Sequence, residues 1–141
     1  MILETYSERI GRLTRNQFQE VCRQAAGGVT VEPGIRKCRI LGSPWCFALE
    51  ADQGICRHLI ESGFWEAWIS VAIARAIGPG AFVVDVGAHV GYYTLLMAEC
   101  VGPRGRVLSV EANPELGDLL ERSIEENGYD HVILRRSAAW D

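Results

Sequence analysis

The chain has 141 residues, 48% hydrophobic and 23% charged, which suits one globular domain with a real core and is too little for two. A formal net charge of −4 and a pI near 5.4 argue against nucleic-acid and anionic-membrane partners, because phosphate neutralisation needs clustered Lys and Arg. The close basic pairs, Arg36-Lys37 and Arg135-Arg136, read as solvated strand ends, and Arg75, Asp85 and Glu99 interrupt the longest apolar runs, so no membrane span is expected.

Met1-Ile-Leu-Glu4 meets a charge too early for a secretory signal. Residues 7–26 read as one helix, with Ile10, Leu13, Phe18, Val21, Cys22 and Ala25 near helical spacing and Gly27-Gly28 as its stop. Residues 35–50 read as a β-hairpin, with runs 37–41 and 45–49 around the turn Gly42-Ser43-Pro44. A turn at 51–54 and a short helix at 56–60 follow. Residues 63–77 predict a strong helix, stopped by Gly78-Pro79-Gly80.

From residue 81 the pattern alternates. Residues 81–84 predict a buried strand, 91–101 an apolar helix closed by Gly102-Pro103, and 106–110 a second strand. Asn113 is the N-cap and Pro114 the first residue of a further helix, with Leu116, Leu119, Leu120 and Ile124 as its core stripe and Asn127-Gly128 at its end. Residues 131–134 predict a third strand. This βαβαβ order implies an α/β fold with a partial, parallel Rossmann-like sheet, preceded by a helix and hairpin extension. The domain reading is an extension over 1–60 and the N-terminal half of a binding domain over 61–141.

The five cysteines, Cys22, Cys38, Cys46, Cys56 and Cys100, are odd in number and lack C-x-x-C spacing. They read as reduced thiols of a cytoplasmic protein, with Cys38 and Cys46 facing each other across the hairpin as buried thiols. His58, His89 and His131 are scattered, so no metal is expected.

The chemistry concentrates where the first parallel strand ends. Asp85 closes that strand, and Gly87 and Gly91 bracket the turn into the next helix. Ligands bind at such carboxyl ends of strands in open α/β sheets. A dinucleotide requires G-x-G-x-x-G, whose second glycine admits the pyrophosphate. Here His89 stands in that place and Tyr92 follows Gly91, so a nicotinamide oxidoreductase is the disfavoured alternative. A ligand without phosphates tolerates a side chain there, and S-adenosylmethionine is such a ligand. Asp85 suits its cationic groups, directly or through the loop. Glu111 ends the second strand at the distance from the loop where an acid accepts hydrogen bonds from ribose hydroxyls.

Residues 82–94, read as Phe-Val-Val-Asp-Val-Gly-Ala-His-Val-Gly-Tyr-Tyr-Thr, and residues 102–114 resemble the FkbM-type S-adenosylmethionine-dependent methyltransferases. Gly63-Phe-Trp-Glu66 resembles that family's approach to the first strand, and the likeness covers about residues 55–141. The resemblance implies a cofactor loop at Asp85, Gly87, Ala88, His89, Gly91 and Tyr92, and a ribose acid at Glu111 followed by Ala112. His89 stands where that family usually has asparagine, and Ala112 where it has proline. Of Tyr92 and Tyr93, one is expected in the core and the other in the pocket. Glu66 reads as a local cap or ion pair, and Ser137 as a residue near the adenine. No general base is nominated.

The expectation is therefore an S-adenosylmethionine-dependent O-methyltransferase, cofactor-binding half, acting on a small-molecule or glycan acceptor. The alternative from another class is a non-catalytic binding module that keeps the fold. The chain reads as a fragment ending at Trp140-Asp141, with the unpaired edge of its first parallel strand open to self-association.

Overall fold

The computed structural model describes residues 4–138. Two short helices, α1 (Tyr6–Gly11) and α2 (Arg15–Ala25), lead into strands β1 (Gly28–Glu32), β2 (Ile35–Arg39) and β3 (Trp45–Leu49). Helices α3 (Ile55–Ser62) and α4 (Ala67–Ala76) follow. The remainder is β4 (Phe82–Val86), α5 (Tyr92–Val101), β5 (Arg106–Val110), α6 (Pro114–Glu126) and β6 (Val132–Arg135).

The single helix expected over 7–26 is two helices, and capping explains the break. The Thr14 side chain accepts from the Gln17 N–H while the Gln17 side chain accepts from the Thr14 N–H at 2.9 Å, a capping box that starts α2. Thr5 and Glu8 do the same for α1. The expected hairpin is an antiparallel three-stranded meander, ordered β1-β2-β3. β1 is mostly exposed and lacks the apolar run that marks a half-buried strand; Pro33-Gly34, with Gly34 at φ 81°, is the turn that joins it to β2. Cys38 and Cys46 lie opposite each other as free buried thiols.

Side chains of α6 occupy the outer edge of the meander. Asn127 Oδ1 accepts from the Trp45 N–H at 2.8 Å, and its Nδ2 donates to the Trp45 carbonyl at 2.7 Å. Ser123 Oγ accepts from the Phe47 N–H at 3.0 Å. Lys37 pairs with Glu126 and Arg122 with Glu32 across the same junction.

The second sheet is parallel, ordered β4-β5-β6, with Asp85 opposite Ser109 and Val107 opposite Val132. One of its faces is buried, at Asp85, Val107, Ser109 and Val132. The other exposes Phe82, Val84, Val86 and Ile133. Val107 and Val132 of this sheet form a small buried cluster of their own with Ala98 and Val101 of α5. One buried cluster runs from Ile10 and Phe18 through Ile40 and Leu59 to Leu95, Leu96 and Leu119. The helices and meander of the N-terminal half are thus packed against the same α5 and α6 that hold the end of β4.

Candidate functional site

The loop from Gly87 to Gly91 turns the chain from β4 into α5, and its two glycines do different work. Gly91 has φ 93°, where a side chain is strained, and a Cβ there would sit 2.2 Å from Leu120 Cδ1, so the buried Leu120 side chain would also have to shift. Gly87 has φ 77° and no atom within 4 Å of where a Cβ would lie, so the backbone is open to a ligand on that side. Between them His89 takes φ 56°, a left-handed conformation that is uncommon outside glycine and asparagine.

The loop uses most of its N–H groups internally. Gly87 and Ala88 both donate to the Val110 carbonyl, at 2.9 and 3.0 Å. His89 N–H donates to Glu111 Oε2 at 2.7 Å, and Gly91 N–H to the Ala88 carbonyl at 2.8 Å. A pyrophosphate is held by converging free N–H groups. A loop whose donors are committed to β5 and Glu111 does not offer them, so its geometry favours an uncharged or cationic ligand surface over a phosphate.

Glu111 is 8% exposed, and its other oxygen accepts from the Asn113 N–H at 2.8 Å. It therefore ties the loop to the β5–α6 turn, a role that spacing did not reveal. Asp85, also 8% exposed, faces inward under the loop. Thr94 Oγ1 donates to it at 2.6 Å and is linked in turn to Ser109 Oγ at 2.7 Å. Burial pushes the Asp85 carboxyl above the usual range; hydrogen bonds from Thr94 oppose this, and the nearby Glu111 charge adds to it. The hydrogen bond that the Asp85 side chain accepts comes from Thr94 of α5 and not from the loop. Thr94 and Ser109 were not legible, because a hydroxyl in an apolar helix or strand carries no periodic signal.

A cavity of about 260 Å³ opens beside the loop, lined by Ile55, Trp65, Glu66, the loop residues and both tyrosines. Tyr92 is 3% exposed, and its hydroxyl meets Ser70 Oγ at 2.8 Å. Tyr93 is the more open of the pair and donates its O–H to Glu66 Oε2 at 2.6 Å. Glu66 makes no side-chain cap on α4, contrary to the expected cap or ion pair; its carboxylate goes to Tyr93 on the cavity wall. Ala88 is buried in the loop, while Ala112 and Ser137 are exposed away from this cavity. Trp65 and Ile55 come from the α3–α4 region, and only packing brings them to the loop.

Spacing also missed a juxtaposition of metal-ligating groups. Asp52, Cys56 and His89 bring one ligand atom each to within 4.8 Å of one another, from the turn before α3, its first turn and the glycine loop. Trp140 and Asp141, where the chain was read as ending, lie outside the described residues. Among the described residues no helix is long and apolar enough to cross a membrane.

Residues 62–140 match the family model of protein-L-isoaspartate(D-aspartate) O-methyltransferase, more than half of the chain. The chain belongs to that family. The methyltransferase class expected from sequence stands, whereas the matched family is not the FkbM type, and the oxidoreductase alternative has no support. The likeness that pointed to FkbM lies in residues 82–94 and 102–114 with Gly63-Phe-Trp-Glu66, within the stretch that the matched family model covers. A protein-L-isoaspartate O-methyltransferase of Methanopyrus kandleri is 44% identical over 55 residues, 39% of this chain and 24% of that one. A transmembrane O-methyltransferase of Propithecus coquereli is 33% identical over 79 residues, 55% of this chain and 28% of that one. The chain thus spans about a quarter of the length of these curated relatives. Among solved structures, M. jannaschii TYW2 in complex with AdoMet aligns at a TM-score of 0.59 and 21% identity, over 77% of this chain and 46% of that one. A protein-L-isoaspartate O-methyltransferase aligns at 0.51 and 15%, over 96% and 38%. These establish the Rossmann-like methyltransferase fold.

Proposed function

We propose that this chain is the cofactor-binding half of an S-adenosylmethionine-dependent O-methyltransferase. The observation that carries the reading is the Gly87–Gly91 loop, its donors committed to Val110 and Glu111 and its Gly87 side open, beside the cavity of Glu66 and Tyr93. Family membership supports it. The residues fit the cofactor: it brings no phosphate to a loop that commits most of its donors to β5 and Glu111, and its cationic groups would meet a carboxylate at Glu66.

When bound, S-adenosylmethionine supplies a methyl group activated by its sulfonium. In this chain Glu111, followed by Ala112, would turn its remaining lone pairs to the ribose hydroxyls. Gly87 and Ala88 would pass close to the ligand, with His89 and Tyr92 at its border. Asp85, through Thr94, and Gly91, against Leu120, would hold the loop in shape. Aligning an oxygen nucleophile with the methyl group supplies most of what the transfer requires. The family name makes an isoaspartyl carboxylate the first acceptor to test, ahead of the small-molecule and glycan hydroxyls expected from sequence. We further infer that residues 61–141 form the binding half and 1–60 its extension. The five free thiols suit a cytoplasmic setting, and the open edge of β4 suits self-association.

Calorimetry of the 141-residue chain with S-adenosylhomocysteine tests the reading. Saturable one-to-one binding, lost in Glu111→Ala and absent with NADH, is the expected result. No heat with S-adenosylhomocysteine, or equal heat with NADH, overturns it.

A further inference from the structure

We propose that Asp52, Cys56 and His89 form a binding site for a zinc-class divalent cation, with three protein ligands and one open position, that fastens the start of α3 to the glycine loop. The donor set is an imidazole nitrogen, a thiol sulfur and a carboxylate oxygen, the three ligand types that zinc takes from proteins. The bond lengths of a tetrahedral zinc site put its ligand atoms roughly 3.3–3.8 Å apart. Here all three lie within 4.8 Å, and His89 Nε2 stands 3.8 Å from Asp52 Oδ2. Side-chain rotations of about an ångström close the difference.

The imidazole is otherwise unexplained. Its Nδ1 is buried with no hydrogen-bond partner, and its Nε2 is beyond hydrogen-bonding distance of Asp52. An ion on Nε2 would give the ring its one polar partner, on a residue held in a left-handed conformation. The two ligands from the other segment are already fixed. Asp52 Oδ1 accepts from the Gly54 N–H at 2.7 Å and Oδ2 from the Cys56 N–H at 3.3 Å, which sets the carboxylate at the head of α3 with Cys56 behind it. Each oxygen keeps a lone pair for a cation. Binding replaces the Cys56 S–H bond with a sulfur–metal bond, and the proton leaves to solvent; no electron moves.

The consequence is mechanical. His89 N–H is held by Glu111, and its side chain would be held by the ion, so the loop is clamped from both sides. The site stands whether or not the loop binds S-adenosylmethionine, and its test contains no cofactor. Metal-free chain is titrated with Co²⁺, and Zn²⁺ is then added in competition. One equivalent with tetrahedral d–d bands and a sulfur-to-cobalt charge-transfer band, displaced by Zn²⁺, is the expected result, with a rise in melting temperature on Zn²⁺ binding. Cys56→Ser abolishes the charge-transfer band. His89→Asn, whose new residue tolerates the left-handed backbone and so keeps the loop folded, weakens binding by at least about 10–100-fold, the loss that removing even an outer-shell partner brings. Circular dichroism checks that each variant is folded. No cobalt binding, an octahedral spectrum without charge transfer, or unchanged binding in a folded His89→Asn variant overturns the proposal.

Discussion

The two sheets of this molecule finish their edges and faces in opposite ways. The antiparallel meander is closed along β3, though β1 stays exposed: α6 occupies the outer edge of β3 through Asn127 and Ser123, and Cys38, Cys46, Phe47 and Ala48 are buried against the core. The parallel sheet is closed on one face only. Its other face presents Phe82, Val84 and Val86 at 65%, 47% and 61% exposure, and β4 has a partner on one side alone. Parallel strands are normally covered on both faces. The contrast separates two kinds of constraint. Along β3 and under the loop, each group is specified by a neighbour already present; on the open face, the apolar side chains of β4 are left exposed among the described residues.

The sharpest break of that contrast is at Gly91. Gly91→Ala adds a methyl group 2.2 Å from Leu120 Cδ1 at φ 93°, and overpacking with left-handed strain should destabilise by about 2–5 kcal/mol. In a Leu120→Ala background the steric part disappears, so a double-mutant cycle by chemical denaturation should find Gly91→Ala clearly less costly there. Equal cost in both backgrounds would remove Leu120 as the reason for glycine.

Asn127→Ala tests the closed edge. It strips both hydrogen bonds from the Trp45 backbone and should cost about 1–3 kcal/mol, read from urea midpoints. A loss below about 0.5 kcal/mol, the range of an ordinary surface change, would mean that solvent serves that edge as well as α6 does.

Val84→Lys probes the open face and should do least to stability, within about 0.5 kcal/mol. Its effect should instead be on association: light scattering at raised concentration should fall relative to the parent chain, because a charge interrupts the exposed apolar strip. A large loss of stability with unchanged scattering would show that Val84 is already packed in solution.

Much of the fold was legible because local signals and tertiary packing agreed. The Asn113-Pro114 start of α6 is one case: Asn113 Oδ1 accepts from the Glu115 and Leu116 N–H groups, as an N-cap should. β5 lies where its apolar run predicted, and α5 within a residue of its predicted start. The errors arose where local signals competed. Apolar periodicity ran through 7–26 and hid the capping box at Thr14. The helix read from 63 begins at Ala67, because Gly63 takes a left-handed conformation to end α3 and Phe64 and Trp65 leave the helix to pack.

The site divides in the same manner. Asp85, Gly87, Gly91 and Glu111 were readable because a sharp turn, a close approach and an acid after the next strand are requirements that a short stretch must meet by itself. The inward turn of Asp85 onto Thr94 and the double bond of Glu111 to His89 and Asn113 were not, since both follow from how β4, β5 and α5 stack. Glu66 and Tyr93 meet across the cavity, and Asp52, Cys56 and His89 converge, only because α3 and α4 are packed against the loop. By itself the sequence determined the order of elements from β4 onward, the turn into α5 and the side chain standing where a dinucleotide loop needs its second glycine, all set by backbone sterics and periodicity within a few residues. The tertiary structure alone decided which polar groups meet, because hydrogen bonds and ligand clusters between distant segments depend on distances that no spacing along the chain encodes.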